Sequence, residues 1–334
     1  MIHGHGDDIY NQDKKIEINF SSNVDTHQNL STLRTHLIQH ISQIHSYPEP
    51  DARSLRKLIA EKQGIAMDAV GVTNGATEAI YLIAQAFQGA QTTILIPTFS
   101  EYEDACKLNQ HQIRFATQLD QINCADLVWI CNPNNPQGTV FTKQTLLKLI
   151  HNHPKIIFVI DQSYEHFSTA GVFSSHEAAQ ENNLILLHSM TKHFAIPGLR
   201  LGYLTSHPNL LSKIMKFRMP WSVNQLAIEA GKFLLSKYNN LVELDFLLTN
   251  AQILYKELQK IKELEVIPSQ THFFLCRLPT NRLARDLKQH LINQYGILIR
   301  DASNFRGLTP HHFRIASQNK EQNTQLVKAI KAWI

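Results

Sequence analysis

The chain has 334 residues, 43% hydrophobic and 18% charged, with a formal net charge of +4. That length suits roughly two folded domains, and the composition excludes a disordered or fibrous chain. The lysines and arginines are scattered rather than clustered, which sets nucleic acid aside as a partner and leaves phosphorylated small molecules compatible.

The N-terminus, "MIHGHGDDIYNQDKK", is polar and lacks the apolar core of a signal peptide. No apolar run approaches the ~18 residues of a membrane span, so a cytoplasmic protein is expected. From Asp68 the chain alternates regularly. "AVGVTN" reads as a strand ending at Asn74, and "GATEAIYLIAQAF" as an apolar helix opening on Gly75. "TTILIP" is a strand, "FSEYEDACKLN" a helix, and "QIRFA" and "DLVWICN" are strands. "NPNNPQG" is a loop by composition. "TKQTLLKLIHNH" is a helix with Thr142 as its N-cap, and "KIIFVID" a strand that stays apolar until Asp161. Two further apolar runs flank a polar cluster in "NNLILLHSMTKHFAIPGLRLGYL". Continuous apolar strands separated by helices imply a mostly parallel sheet covered on both faces.

Beyond Pro208 the pattern shifts to long helices, near 208–219, 222–236 and 240–262. A smaller α/β unit follows: "THFFLCRL", a helix near 281–294, "ILIRDAS", "HHFRIAS" and a last helix. The expected division is an N-terminal arm (1–40) joining the small domain, a large domain (41–235) and a small C-terminal domain (236–334). Cys106, Cys124, Cys131 and Cys276 form no CxxC pair and are expected as reduced thiols. The histidines are assigned to surface and loops, with no HxxxH on an apolar helix, no finger spacing, and hence no metal.

In doubly wound sheets ligands bind beyond the carboxyl ends of the strands. Asn74-Gly75-Ala76-Thr77 stands at one such end, either an ordinary turn or a helix N-terminus for a phosphate. Phe99 stands at another, either a core ring or a stacking surface. Asn134 and Asn135 follow "DLVWIC". Asp161 is either a helix cap or a buried anion awaiting a cationic ring, with Tyr164 just beyond. Ser189, Thr191, Lys192 and Arg200 fill the last gap. Each has an ordinary explanation alone. Together they supply a lysine in an apolar setting, where burial frees an amine for Schiff-base chemistry. They also supply a carboxylate for a pyridinium nitrogen, an aromatic ring, groups for a phenolic oxygen, and an arginine with hydroxyls for a phosphate. A pyridoxal-phosphate site needs that inventory.

On "SMTKHFAIPGLR", "VIDQSY", "NPNNPQG" and "PTFSEY" the chain resembles the fold type I pyridoxal-phosphate enzymes of the class I/II aminotransferase superfamily. Within it, "HGHG", "FSSN", "MPWSVNQLA" and "GILIRDASNF" look like the threonine-phosphate decarboxylase branch, with histidinol-phosphate aminotransferase next. The resemblance implies an α/β large domain with a mostly parallel sheet, a small C-terminal α/β domain, and a homodimer with shared active sites. It implies that Lys192 carries the cofactor and that Asp161 pairs with the pyridine nitrogen. Tyr164 and Asn135 would contact the phenolic oxygen, and Phe99, or less well Tyr102, would stack on the ring. Gly75, Ala76, Thr77, Ser189, Thr191 and Arg200 would hold the phosphate, joined by Tyr47 reaching from the neighbouring subunit. Arg314, Arg300, His3 and Asn23 would bind substrate. Two departures stand out: Gln162 and Ser163 replace an acid and an alanine after Asp161, and "NNPQG" replaces "NNPTG". The expected reaction is decarboxylation of L-threonine O-3-phosphate for cobalamin synthesis, with transamination of histidinol phosphate or another amino acid as the alternative. A catalytically inert cofactor-binding protein is set aside because Lys192 and Asp161 are both present.

Overall fold

The computed structural model describes residues 6–122, 125–237 and 243–334. An N-terminal arm carries β1 (Ile18–Asn19), followed by helices α1 (Ser31–Gln39) and α2 (Arg53–Gln63). The large sheet then forms from β2 (Val70–Thr73), β3 (Gln91–Leu95), β4 (Gln112–Ala116), β5 (Leu127–Cys131), β6 (Ile157–Asp161), β7 (Leu184–Ser189) and β8 (Gly202–Thr205). Its helices are α3 (Gly75–Ala86), α4 (Glu101–Leu108), α5 (Lys143–Asn152), α6 (Ser175–Gln180) and α7 (Met190–His193). Then come α8 (Pro208–Met215), α9 (Gln225–Lys237) and α10 (Leu244–Gln259). The C-terminal unit holds β9 (Glu265–Val266), β10 (Phe273–Arg277), α11 (Ala284–Tyr295), β11 (Ile297–Leu298), β12 (Arg300–Asp301), β13 (His312–Ala316) and α12 (Lys320–Trp333).

The seven strands of the large sheet run in the order β2-β8-β7-β6-β5-β3-β4. β8 is antiparallel to both neighbours, and the other pairings are parallel. The alternation of side chains divides the apolar strands between two cores. Trp129, Val159, Ile185 and Leu187 face α3 and α4, whereas Val128, Ile130, Phe158, Ile160, Leu184 and Leu186 face α5 and α6. Burying each such side chain stabilises the sheet by about 1.5–3 kcal/mol. β4 lies at the edge and is largely exposed. The N-cap expected at Thr142 is present, its side chain accepting from the Thr145 N–H at 3.2 Å.

Register decides where the polar strand ends meet. Cys131 pairs with Asp161, Asp161 with Leu187, Ser189 with Gly202, and Gly202 with Thr73. Four strand ends and the start of β8 therefore share one rim of the sheet.

A four-stranded antiparallel sheet, β12-β13-β10-β9, backs the C-terminal helices over its own apolar core. β1 pairs with β11 in parallel, Ile18 opposite Ile297. The Phe20 N–H donates to the Leu298 carbonyl at 2.8 Å, and its carbonyl accepts from Ala316 N–H at 2.9 Å. These bonds carry the arm across the C-terminal unit to the rim.

Some boundaries differ from the sequence reading. "ILIRDAS" is two short strands, because β11 pairs with the arm while β12 pairs with β13. α8 stops at Met215, ahead of Pro220. α9 starts at Gln225, where the Asn224 side chain accepts from the Ala227 N–H at 2.8 Å. His36 lies in α1 and His40, four positions on, is its C-cap; the helix is not apolar and buries only Leu33 fully. Among the described residues no helix is long and apolar enough to cross a membrane.

Candidate active site

A cavity of about 240 Å³ opens at the rim. Its walls include Asp161, Tyr164, Ser189, Lys192, Arg200 and Arg314. Ala76, Thr77, Phe99, Asn135, Thr191, Asn23 and Arg300 line it as well. So the expected residues that fall among the described ones come together, with two exceptions. Gly75 does not line the cavity, but it precedes Ala76, which does. Tyr47 is 85% exposed, lies against Trp221 with ring centroids 5.3 Å apart, and does not line this cavity. His3 falls outside the described residues.

Lys192 is the third residue of the short helix α7 and lines the cavity. Burial, with Arg314 and Arg200 nearby, lowers its amine to about 8. A lysine near that value keeps a deprotonated fraction at neutral pH, which attack on a carbonyl requires.

One end of the cavity is a cradle for a small anion. α3 begins at Gly75 with its first N–H groups directed to the rim. Ser189 Oγ and Thr191 Oγ1 stand 2.8 Å apart beside it. Arg200 has positive φ, and its Nη1 donates to the Pro197 carbonyl. The space is kept open by two missing side chains. A Cβ on Gly75 would lie 2.5 Å from Arg200 Nη2, and one on Gly202 would lie 2.6 Å from the Ala76 nitrogen. Gly75 also has φ +77°, which favours glycine. The donors are a guanidinium, two hydroxyls and a helix N-terminus, the set a phosphate monoester takes.

Across the cavity, both oxygens of Asp161 are fixed. Oδ1 accepts from the Ser163 N–H at 2.8 Å, and Oδ2 accepts from the Tyr102 hydroxyl at 2.7 Å. Asp161 is not the helix cap that the sequence left open: its carboxylate holds the turn after β6, the next helical turn, Glu165–Phe167, starts at Tyr164 without a side-chain cap, and the same carboxylate faces the cavity. Tyr102 also lines the cavity, but it is fully buried and one face of its ring lies flat on Trp129, centroids 5.0 Å apart. Phe99 meets it edge-on at 5.9 Å and keeps its place on the cavity wall. Sequence reasoning missed the Tyr102–Asp161 bond because it spans 59 positions. Burial raises the Tyr164 phenol to about 12, despite the opposing pull of Arg314. Gln162 points away from the site, bonding Phe173 through both its amide oxygen and nitrogen and reaching Glu165. Its departure from the family pattern therefore shapes the loop 162–173 rather than the cavity.

The far wall is cationic. Arg314 is buried, donates to Asn135 Oδ1 and to the Ser21 carbonyl, and leaves its Nε without a partner. The Asn23 amide is 2% exposed and lies beside the Tyr164 phenol. Arg300 is buried beside them, bonded to Asn304 and to the Asp301 carbonyl. Burial lowers both guanidinium groups to about 10. Gly6, Asp7 and Ser21 of the arm also line the cavity; Gly6 and Ser21 belong to the quoted "HGHG" and "FSSN", although neither was assigned a role, and Asp7 lies outside any motif.

Two buried histidines, His193 and His272, lie against Phe167. Burial holds His193 down at about 4 and His272 at about 3. His272 has no hydrogen-bond partner on either ring nitrogen, and His193 has none on Nδ1. Both are neutral in the folded chain and take up protons near 6.5 once unfolded. Their contribution to stability is therefore present above pH 6.5 and is lost as pH falls toward 4 and 3. The loss is on the order of 3 kcal/mol per group. Urea denaturation at pH 7 and pH 4.5 is expected to show a clear drop, reduced in His193→Gln.

The sequence model "Aminotransferase class I and II" matches residues 15–330. A putative threonine-phosphate decarboxylase of Caldanaerobacter subterraneus subsp. tengcongensis is 32% identical, over 85% of this chain and 82% of its own. A histidinol-phosphate aminotransferase of the same organism is 29% identical, over 86% and 84%. An adenosylcobalamin biosynthesis bifunctional protein of Leptospira interrogans is 30% identical over 97% of this chain, which spans only 40% of that protein's length. Among solved structures, the L-threonine-O-3-phosphate decarboxylase of Porphyromonas gingivalis superposes with a TM-score of 0.92 at 38% identity, covering 95% of this chain and 99% of that one. With a match over nearly the whole chain and a site of this composition, the protein belongs to the class I and II aminotransferase family and is an enzyme whose cofactor is pyridoxal 5'-phosphate.

Proposed function

We propose that this enzyme decarboxylates L-threonine O-3-phosphate to aminopropanol phosphate, a step of cobalamin synthesis. One observation carries the reading. Arg300 and Arg314 are direct cross-strand partners on β12 and β13, both buried and both on the cavity. Like charges placed opposite each other destabilise a sheet. A substrate with two anionic groups on a short skeleton compensates that repulsion, and threonine phosphate has a carboxylate and a phosphate. The likeness to the solved decarboxylase at 38% identity supports the same substrate class.

When bound, the cofactor supplies an electron sink for the bond broken at the substrate Cα. Lys192 is the residue that would carry it and move a proton at Cα. The cradle of Ala76, Thr77, Ser189, Thr191 and Arg200, with Gly75 preceding Ala76, would hold its phosphate. Asp161, steadied by Tyr102, would keep its ring nitrogen protonated, and Asn135 and Tyr164 would meet its phenolic oxygen. Phe99 would cover one ring face. Arg314, Arg300 and Asn23, with His3 from the arm, would orient the substrate and so decide which Cα bond stands where the sink can accept it.

The aminotransferase reading has its own support in the histidinol-phosphate aminotransferase relative and in Tyr164, as most aminotransferases have. Product analysis separates the two. With L-threonine O-3-phosphate and no keto acid, CO2 released over many turnovers is expected. No CO2, together with amino transfer from glutamate to a keto or aldehyde acceptor, would move the assignment to an aminotransferase. A charge-assisted bond to each arginine contributes about 1.5–3 kcal/mol. Arg300→Gln or Arg314→Gln is therefore expected to lower kcat/KM by roughly one to two decades, with cofactor absorbance retained.

A homodimer is part of the proposal. Ile38, Ile41, Ile44, Tyr47, Met219 and Trp221 are exposed. An apolar groove lined by Leu33, Leu37, Ile41 and Leu199 adjoins the cavity through Pro197, which lines both. A second copy would cover this face and could bring its Tyr47 to the phosphate cradle. Light scattering is expected to give a dimer at micromolar concentration; a fully active monomer would remove this part of the reading. The buried free thiols of Cys106, Cys131 and Cys276 suit a reducing cytoplasm.

A further inference from the structure

We propose that His36, His40 and Glu229 form a site for a divalent transition cation of the zinc class, which fastens α1 to α9. The three side chains offer ligand atoms that all lie within 4.8 Å of one another. His36 in the last turn of α1 and His40 at its C-cap stand one turn apart, so their rings share a face, centroids 4.1 Å apart. Glu229 comes from α9, which packs on α1.

Each side chain is already oriented by its neighbours. His40 Nδ1 lies 2.8 Å from the His36 carbonyl, a bond in which only the ring nitrogen can donate. That bond fixes the proton on Nδ1 and leaves the Nε2 lone pair free, the usual arrangement around a metal-bound imidazole. His36 Nε2 is buried and has no hydrogen-bond partner. Its ring is held flat against Phe233, centroids 4.6 Å apart. Glu229 is 6% exposed, and its Oε1 accepts from Lys232 at 2.8 Å and from Gln225 at 3.3 Å. Its Oε2 stands 3.8 Å from His36 Nε2, too far for a hydrogen bond. Two ligands each about 2.0–2.1 Å from zinc at a tetrahedral angle stand about 3.3–3.4 Å apart, so a small side-chain rotation closes the gap. Two imidazoles and one carboxylate leave a fourth position for water.

The site would have a mechanical effect. α1 fully buries only Leu33 and has no side-chain N-cap, whereas α9 buries six residues. A cation held by both helices ties the weakly anchored one to the firmly anchored one.

The test uses the cofactor-loaded enzyme, treated with EDTA and then titrated with Zn2+ by calorimetry and with Co2+ by absorption. Expected are one Zn2+ per chain, the visible bands of tetrahedral Co2+, and a rise of several degrees in Tm. In His40→Gln and in Glu229→Gln the Zn2+ affinity should fall at least tenfold and the Tm rise should vanish. Cofactor absorbance and metal-free turnover should stay at wild-type levels in both. Two variants on different helices keep the result readable if one folds poorly. No stoichiometric binding by the wild type, or equal binding by wild type and both variants, would overturn the proposal.

Discussion

Lys192→Ala is expected to abolish turnover and, with it, the near-visible absorbance that marks covalent attachment of the cofactor. The lysine lines the cavity, and its surroundings hold its amine at about 8 rather than at the ordinary lysine value. Removing it deletes the attachment point and the group placed to move a proton at Cα. Loss of the proton transfer alone costs roughly 10²–10⁴-fold. Borohydride reduction followed by peptide mass analysis gives a check independent of turnover. In the native enzyme the cofactor mass should appear on the peptide containing Lys192. A variant that kept both the absorbance and the activity would remove Lys192 from its role.

Asp161→Asn carries the next largest expected effect. The carboxylate is 4% exposed and is oriented by Tyr102 and by the Ser163 N–H. Opposite a buried pyridinium it forms a buried charge pair, and removing one partner of such a pair costs about 3–5 kcal/mol. If that loss falls mainly on the transition state, the rate drops by roughly two to four decades. The asparagine oxygen can still hold the turn at Ser163, so the fold should survive. Cofactor affinity, measured by equilibrium dialysis, should weaken alongside the rate. Near-normal turnover and affinity would leave Asp161 only the role of holding the turn at Ser163. Tyr102→Phe removes only the orienting hydroxyl and should give a smaller change of the same kind.

The legible part of the site was the part written as local contrast. A lysine or an aspartate that ends five or more apolar residues stands out, because a strand buried on both faces tolerates no charge along its length. Asp161, Ser189 and Lys192 were found that way, and their positions on the rim follow from the same pattern. The pairing of Arg300 with Arg314 was invisible. Fourteen positions separate them, and "ILIRDAS" read as one strand until the arm was seen to pair with its first half. The covering of one Tyr102 face by Trp129 was also illegible, because it depends on which strand lies beneath α4. The histidine pair at the end of α1 was passed over in sequence, and only the packing of α9 supplies Glu229 as a third ligand atom.

By itself the sequence determined the alternation of buried strands and helices, the rim at which the polar residues stand, and the chemistry those residues share. These depend on hydrophobic period and on side-chain type, which are local properties of the chain. The tertiary structure alone decided which distant groups face one another. It placed the hydroxyl of Tyr102 on Asp161, Arg314 against Arg300 with Asn23 beside them, and Gly202 against the start of α3. Those meetings depend on strand register and on the path of the arm. Both are settled by packing over the whole molecule, because a shift of one residue in register would turn Asp161, Arg300 or Arg314 to the opposite face of its sheet.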